Sequence, residues 1–191
     1  MNISLPFSNQ ELDDIVAQLN DKKAPGPDAI SANITKHMHA ADPSLLPLLF
    51  NRCLSLGCFP KAFKHSKVIA IPKASAADPT LAKSWRPISL LPILGKLLEK
   101  LWINRVNQYL FDFNLLSHSQ YGFTPGRSTD DAILRAARFI SSVKQNKDFG
   151  VLVSLDVAGA FDNAWWPAIL CTLVKKNVPG DLVRLCRDYF R

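Results

Sequence analysis

Two aspartates, Asp156 and Asp162, stand six residues apart in the stretch VSLDVAGAFDNAWW, directly behind the apolar run GVLVSL. A carboxylate at the end of a buried strand sits at the sheet edge while the strand holds it rigidly. Such a group can hold Mg²⁺, a hard cation commonly bound by one or two carboxylates plus substrate phosphates. An aspartate there can equally cap the helix that follows, and the residue types alone leave both readings open. Asp162 falls in or beside a helical turn, where capping or a salt bridge is its expected work. Aspartyl phosphoryl transfer asks for a second aspartate two residues after the first. That position is Ala158, which weakens the alternative.

The remaining chemistry-bearing residues are mostly cations. The 191 residues carry a net charge of +7, and residues 61–109 hold nine Lys or Arg against only Asp78 and Glu99. That one stretch accounts for the whole excess. It suits a polyanionic partner, nucleic acid or nucleotide phosphate, although a solvated face with spare lysines is the plain alternative. His37, His39, Cys53 and Cys58 make a poor zinc set, because CxxxxC is wider than the usual spacing and HxH splays on a helix. Cys53, Cys58, Cys171 and Cys186 form no close pair and fit a reducing compartment. No GxSxG, P-loop or GxGxxG occurs. Nor is there an apolar run of about 18 residues to span a membrane, or a secretory signal in MNISLPFSNQ. At 48% hydrophobic and 20% charged, the composition is that of a globular protein.

The elements that must position these groups can be read from periodicity. Ser8 and Glu11 form a capping box, with Phe7 and Leu12 as its hydrophobic staple, ahead of a helix over about 9–20. KKAPGPDAI stops that helix and lays out an extended loop. Helices are expected over about 29–40 and 44–57. KVIAIPK reads as a short strand ended by Pro72, residues 74–83 as a small polar loop, and WRPISLL as extended. Ile93 to Phe113 has helical periodicity. YGFTPGRSTD is again a loop, and Ser128 with Asp131 caps a helix whose inner face is Ile133, Ala136, Ala137, Ile140 and Val143. GVLVSLDV is the most strand-like run, and helices over about 166–176 and 180–190 follow it. Trp165 and Trp166 are expected in the core rather than as stacking platforms. The class is α+β, helix-rich, with a short incomplete antiparallel sheet.

VIAIPK, SWRPISLLPILGKLLEK, QYGFTPGRSTDDAI and VSLDVAGAFD, with KKAPGPDAI upstream, resemble in order and spacing the reverse transcriptases of non-LTR (LINE-type) retrotransposons. The motifs together cover roughly residues 8–176. Each alone is a weak signal, and the set in register is specific. AFDNAWWPAIL is similar to elements that insert into arthropod ribosomal DNA.

The resemblance implies a role for each matching position. Asp156 matches the first catalytic aspartate, a ligand of two Mg²⁺ ions, with the backbone carbonyl of Val157 assisting on one of them. Lys73 and Arg86 match the finger cations on the incoming triphosphate, stiffened by Pro72 and Pro87. Gly159 and Ala160 let backbone approach that triphosphate. Phe161 matches the bulky residue under the sugar, where a ring excludes a ribose 2′-hydroxyl. Gly126 and Arg127 match a PGRS turn near the template, and Gln120 and Lys23 lie in template-side motifs where structural roles weigh equally. Thr124 stands where members of the family often carry arginine.

At the level of architecture, the resemblance implies a right-hand polymerase fragment within one reverse transcriptase domain. Residues 1–60 form an N-terminal helical extension with the PGPD loop, 61–148 the fingers, and 149–191 the start of a palm. The implied partners are an RNA template, a DNA primer and deoxynucleoside triphosphates, with no membrane, inside the cell at a nuclear site. The family also needs an aspartate pair in a Y/F-A-D-D motif. Asp130-Asp131 precedes the strand and lacks the flanking aromatic, so the C-terminal palm and thumb are expected to be missing and the chain alone inactive. The alternatives are a catalytically dead remnant or a basic, helical nucleic-acid-binding domain. Without a neighbouring hairpin, the strand over 150–157 is expected to expose an edge or an apolar face.

Overall fold

The computed structural model describes residues 3–74, 78, 80–157, 159–160 and 163–191. It divides into two compact units, Met1–Tyr109 with Trp166–Arg191, and Leu110–Trp165.

The first unit is a helical assembly carrying one β-ribbon. Its helices are α1 (Asn9–Ala17), α2 (Ala32–Ala41), α3 (Leu45–Leu56), the single turn α4 (Lys61–Lys64), most of α5 (Ile93–Asp112), α7 (Trp166–Lys175) and α8 (Gly180–Tyr189). The capping box at Ser8 forms as expected: the Glu11 N–H donates to Ser8 Oγ at 3.2 Å and the Ser8 N–H to Glu11 Oε2 at 2.8 Å. Phe7 and Leu12 are both buried. The helix stops at Ala17, three residues short of the expected end, and α2 starts at Ala32, capped by Ser31. Gly57 closes α3 in the left-handed region at φ 62°. The core is mainly leucine, built on Leu12, Leu46, Leu97, Leu98, Leu101, Leu182 and Leu185 around Phe50.

Distant segments are tied by side chains that satisfy backbone groups no helix or sheet would satisfy. The Asn51 amide accepts from the Phe7 N–H at 2.7 Å and donates to the Phe7 carbonyl at 3.0 Å, so it acts as a one-rung strand. Asp181, 2% exposed, accepts from the N–H and hydroxyl of Ser4 at 3.0 and 2.6 Å. Trp102 Nε1 donates to the Leu182 carbonyl at 2.9 Å. Burial pushes the Cys53 and Cys186 thiols up to about 11, and all four cysteines are free.

Arg105 grips Glu11 with two donors, Nε at 2.6 Å and Nη2 at 2.7 Å, and also donates to the Pro6 carbonyl. Burial raises the Glu11 carboxyl, but the hydrogen bonds from Arg105 and Ser8 outweigh it and hold the group below 4.5. Its contribution to stability is therefore complete above that value and is lost as pH falls through the lowered one. Thermal melts from pH 7 to 3 should show a loss of stability at the acid end. Arg105→Leu should flatten that loss, and an unchanged acid limb would refute the assignment.

The ribbon pairs β1 (Lys67–Pro72) with β2 (Trp85–Leu90) antiparallel, from Lys67↔Leu90 at the base to Pro72↔Trp85 at the tip, where a 3₁₀ turn (Ala82–Ser84) leads into β2. Both strands are exposed on both faces except at Leu90. A two-stranded ribbon tolerates Pro72 and Pro87 because each strand has an edge with no partner to lose. An isolated ribbon is marginal, and this one is anchored at its base. Gly26, in the PGP loop, lies so close to Leu91 and Pro92 that an added Cβ would be 2.6 Å from Pro92 N.

The second unit holds the end of α5, a loop, α6 (Thr129–Asn146) and the segment to Trp165. Ser128 and Asp131 form the expected capping box. Two expectations fail here. GVLVSLDV is not a strand: residues 150–157 carry no regular structure, and Leu155 is 89% exposed. The inner face expected for α6 is not buried either, with Ile133 and Ile140 exposed. Both runs are apolar enough, but a strand needs a ladder partner and a helix face needs a covering layer. Within this unit Val143 of α6 lies against Gly150, at the start of the segment that follows. In the first unit, Trp166 is half exposed and stacks on Phe190 at 5.1 Å. Trp165, in the second unit, is 71% exposed. Neither is core.

Candidate functional site

The ribbon brings Lys73 and Arg86 together. Arg86 lies opposite Ile71, and Lys73 follows the last rung, its N–H donating to the Ser84 carbonyl at 2.8 Å, so the ladder runs on to it. Residues two apart on a strand share a face. Lys73 and Arg86 are therefore diagonal neighbours on one face of the tip, roughly 7–8 Å apart. A guanidinium and an ammonium at that spacing can hold one polyphosphate from two sides, Arg as a fork and Lys as a point charge. Pro72 and Pro87 stand next to each cation and fix the backbone φ there.

Lys23 lies in the loop after α1, exposed. It lines a cavity of about 210 Å³ together with Lys96 and Lys100 of α5. Motif reasoning passed over those two lysines. Their i, i+4 spacing was the available signal, but it did not say what stood opposite them.

In the second unit the polar loop before α6 is folded on itself. Arg127 Nη1 donates to the carbonyls of Ser117, His118 and Gln120 at 3.1, 2.9 and 2.6 Å, and its guanidinium lies over the Tyr121 ring. The Gln120 amide donates to the Gly122 carbonyl at 2.9 Å, and the buried Thr124 hydroxyl donates to the same oxygen. Gly126 has φ +72° with open space around it, so backbone conformation, not crowding, demands glycine. These residues shape the turn that presents residues 121–127.

Asp156 and Val157 are exposed on the unpaired segment. Gly159, at φ 59°, and Ala160 form a turn closed by the Asn163 N–H donating to the Gly159 carbonyl at 2.8 Å. Phe161, Asp162 and Ala158 lie outside the described residues. Carboxylate oxygen is the donor Mg²⁺ takes, so Asp156 fits the metal as one ligand. Among the described residues no group of three His, Cys, Asp or Glu side chains gathers to hold an ion. One carboxylate does not make a two-metal site. The imagined zinc set is also dispersed: His39 Nε2 pairs with Asp13 at 2.7 Å, and His37 Nδ1 meets the Asn33 carbonyl. Among the described residues, no helix is long and apolar enough to cross a membrane.

Comparison with known proteins finds relatives that match most of the chain. The chain is 35% identical over 190 residues to the RNA-directed DNA polymerase from mobile element jockey of Drosophila melanogaster, covering 98% of this chain and 20% of that protein. It is 36% identical over 163 residues to the putative 115 kDa protein in type-1 retrotransposable element R1DM of the same fly, covering 85% and 16%. It is also 30% identical over 192 residues to the probable RNA-directed DNA polymerase from transposon BS, covering 99% and 21%. The chain thus spans about a fifth of the length of these curated relatives. Residues 71–190, from the tip of β1 to the end of α8, match the family described as reverse transcriptase (RNA-dependent DNA polymerase), and the chain belongs to that family.

Proposed function

We propose that this chain is the nucleotide-gripping part of an RNA-directed DNA polymerase of a non-LTR retrotransposon, working within a longer polypeptide. In this reading the architecture is the right-hand one. Residues 61–148 act as fingers, residues 149–191 begin the palm, and residues 1–60 form a helical extension holding the PGPD loop. The observation that carries the reading is the register of the ribbon, which sets Lys73 and Arg86 side by side in a chain of this family.

Lys73 and Arg86 hold the triphosphate of the incoming deoxynucleotide. Gly159 and Ala160 give it close backbone approach, and Phe161 lies beneath its sugar. Gly126, Arg127, Gln120 and Lys23 border the RNA template. Arg127 does so mainly by shaping its turn, since one of its nitrogens is committed to three carbonyls. Asp156, with the Val157 carbonyl, supplies one ligand for Mg²⁺, which when bound activates the primer 3′-hydroxyl and steadies the leaving pyrophosphate. The further carboxylates come from a neighbouring segment.

Primer extension on an RNA template tests this. The 191 residues alone should give no Mg²⁺-dependent synthesis. The longer polypeptide encoding them should give it, and Asp156→Asn should abolish it. Synthesis by the short chain, or an active Asp156→Asn polypeptide, would overturn the reading.

A further inference from the structure

The 210 Å³ cavity against α5 has a floor of buried apolar residues, Ile15, Ala32, Ile93 and Leu97. Its polar rim is Lys23, Lys96 and Lys100 with the amides Gln18 and Asn20, and among the described residues no carboxylate lines it. Nearby acids are engaged elsewhere. Asp21 pairs with Lys36 at 3.0 Å. Glu99, whose charge acts on Lys96, accepts a hydrogen bond from Tyr189 and lines a different, small cavity with Trp102 and Tyr189. Among the described residues none of the three lysines is in an ion pair. Three ammonium groups around an apolar floor make a positive field, which Glu99 offsets in part at Lys96.

We propose that this cavity is a second phosphate site, which holds the sugar–phosphate backbone of a single-stranded nucleic acid away from the ribbon tip. The inference rests on the nucleic-acid reading above and extends it from Lys23 to Lys96 and Lys100 of α5. Size favours a backbone phosphate, since small-molecule pockets run to about 300–1,000 Å³. Position favours a continuous strand. The cavity is lined by Lys23 and Ala24, just before Gly26, and by Ile93, just after Pro92. Gly26 packs on Leu91–Pro92 at the base of the ribbon. Five residue steps separate Leu90 at that base from Trp85 at the tip, about 17 Å at 3.4 Å per residue. A stacked strand, at the B-form rise of about 3.4 Å per phosphate, would place at most about five phosphates over that length, and an extended strand fewer. Contacts of this kind position a strand without reading its sequence.

The test is fluorescence anisotropy of a labelled, unstructured oligouridine with the full chain over a salt series. Lys23→Gln with Lys96→Gln and Lys100→Gln removes the three charges, and Gln matches Lys in helix propensity, so the fold should survive. The expected result is weaker binding and a log–log salt slope shallower by about 2, at roughly 0.7 per phosphate contact on a single strand. Lys100→Gln alone should reduce the slope by about 0.7, which keeps the proposal testable if the triple variant melts early. A charge-matched control, Lys22→Gln with Arg52→Gln and Lys175→Gln, removes exposed cations that do not line the cavity and should leave the slope nearly unchanged.

Equal losses in the control and the cavity variant would overturn the proposal. So would a cavity variant that binds normally while Lys73→Ala with Arg86→Ala binds poorly, or one that loses pyrophosphate but not oligouridine. If the unaltered chain binds no oligouridine, the nucleic-acid reading itself fails, a result distinct from the other three.

Discussion

Lys73→Ala combined with Arg86→Ala is expected to weaken binding of a deoxynucleoside triphosphate by about a hundredfold. A hydrogen bond to a charged group contributes roughly 1.5–3 kcal/mol. Both cations are near a solvent-exposed tip, where screening keeps each at the low end, so together they contribute about 3 kcal/mol, or two powers of ten. Arg86→Lys keeps the charge and loses the fork, so an intermediate loss of about tenfold is expected. Titration of a fluorescent deoxynucleotide at low salt measures all three. The melting transition is the fold control: Arg86 is exposed, and the backbone N–H bond from Lys73 to Ser84 survives truncation of the side chain. Unchanged affinity in the double variant would remove the ribbon tip from the nucleotide site.

The second large effect is structural. A methyl group at Gly26 would stand 2.6 Å from Pro92 N, 2.7 Å from the Leu91 carbonyl carbon and 2.8 Å from Pro92 Cα. All three are backbone atoms, and Pro25 and Pro27 fix φ on either side of the glycine, so neither wall yields easily. Gly26→Ala is expected to cost about 3 kcal/mol, the upper end for overpacking. That corresponds to a fall of roughly 10 °C in the melting temperature of a unit this size. Gly122→Ala is the matched control, since the nearest atom to its added methyl is the Gln120 amide nitrogen at 4.0 Å. Calorimetry of the two variants separates a packing role from general loop sensitivity. Equal midpoints would show that the PGP loop does not clamp the base of the ribbon.

Local rules could be read from the sequence, and rules that need a partner could not. The boxes at Ser8–Glu11 and Ser128–Asp131 involve residues three apart, and both form. Alpha helix 5, from Ile93 to Asp112, ends within one residue of its periodicity. KVIAIP and WRPISL read as two short extended runs with a polar loop between them, and their pairing is seen only in the structure. By contrast, GVLVSLDV has the composition of a strand and no ladder, while α6 has an apolar stripe and little over it. Composition reports what a segment can bury, and only the neighbours decide whether it does. The same limit hid the three-lysine cavity. Lys23 is more than seventy residues from Lys96 and Lys100, and nothing local says that they line one space.

On the proposed reading of Asp156, the unpaired backbone beneath it makes catalytic competence conditional on docking. Fixing about eight residues into a strand costs on the order of 10 kcal/mol of conformational entropy. A single carboxylate on a metal ion does not offset that sum. The order must come from ladder bonds and apolar cover on Val151, Leu152, Val153 and Leu155, all exposed here. In the proposed longer polypeptide, the act that buries those side chains also brings the carboxylates together. Nascent or clipped chains would then be unable to assemble the metal site, and quality control of the fold would double as a safety catch on the chemistry.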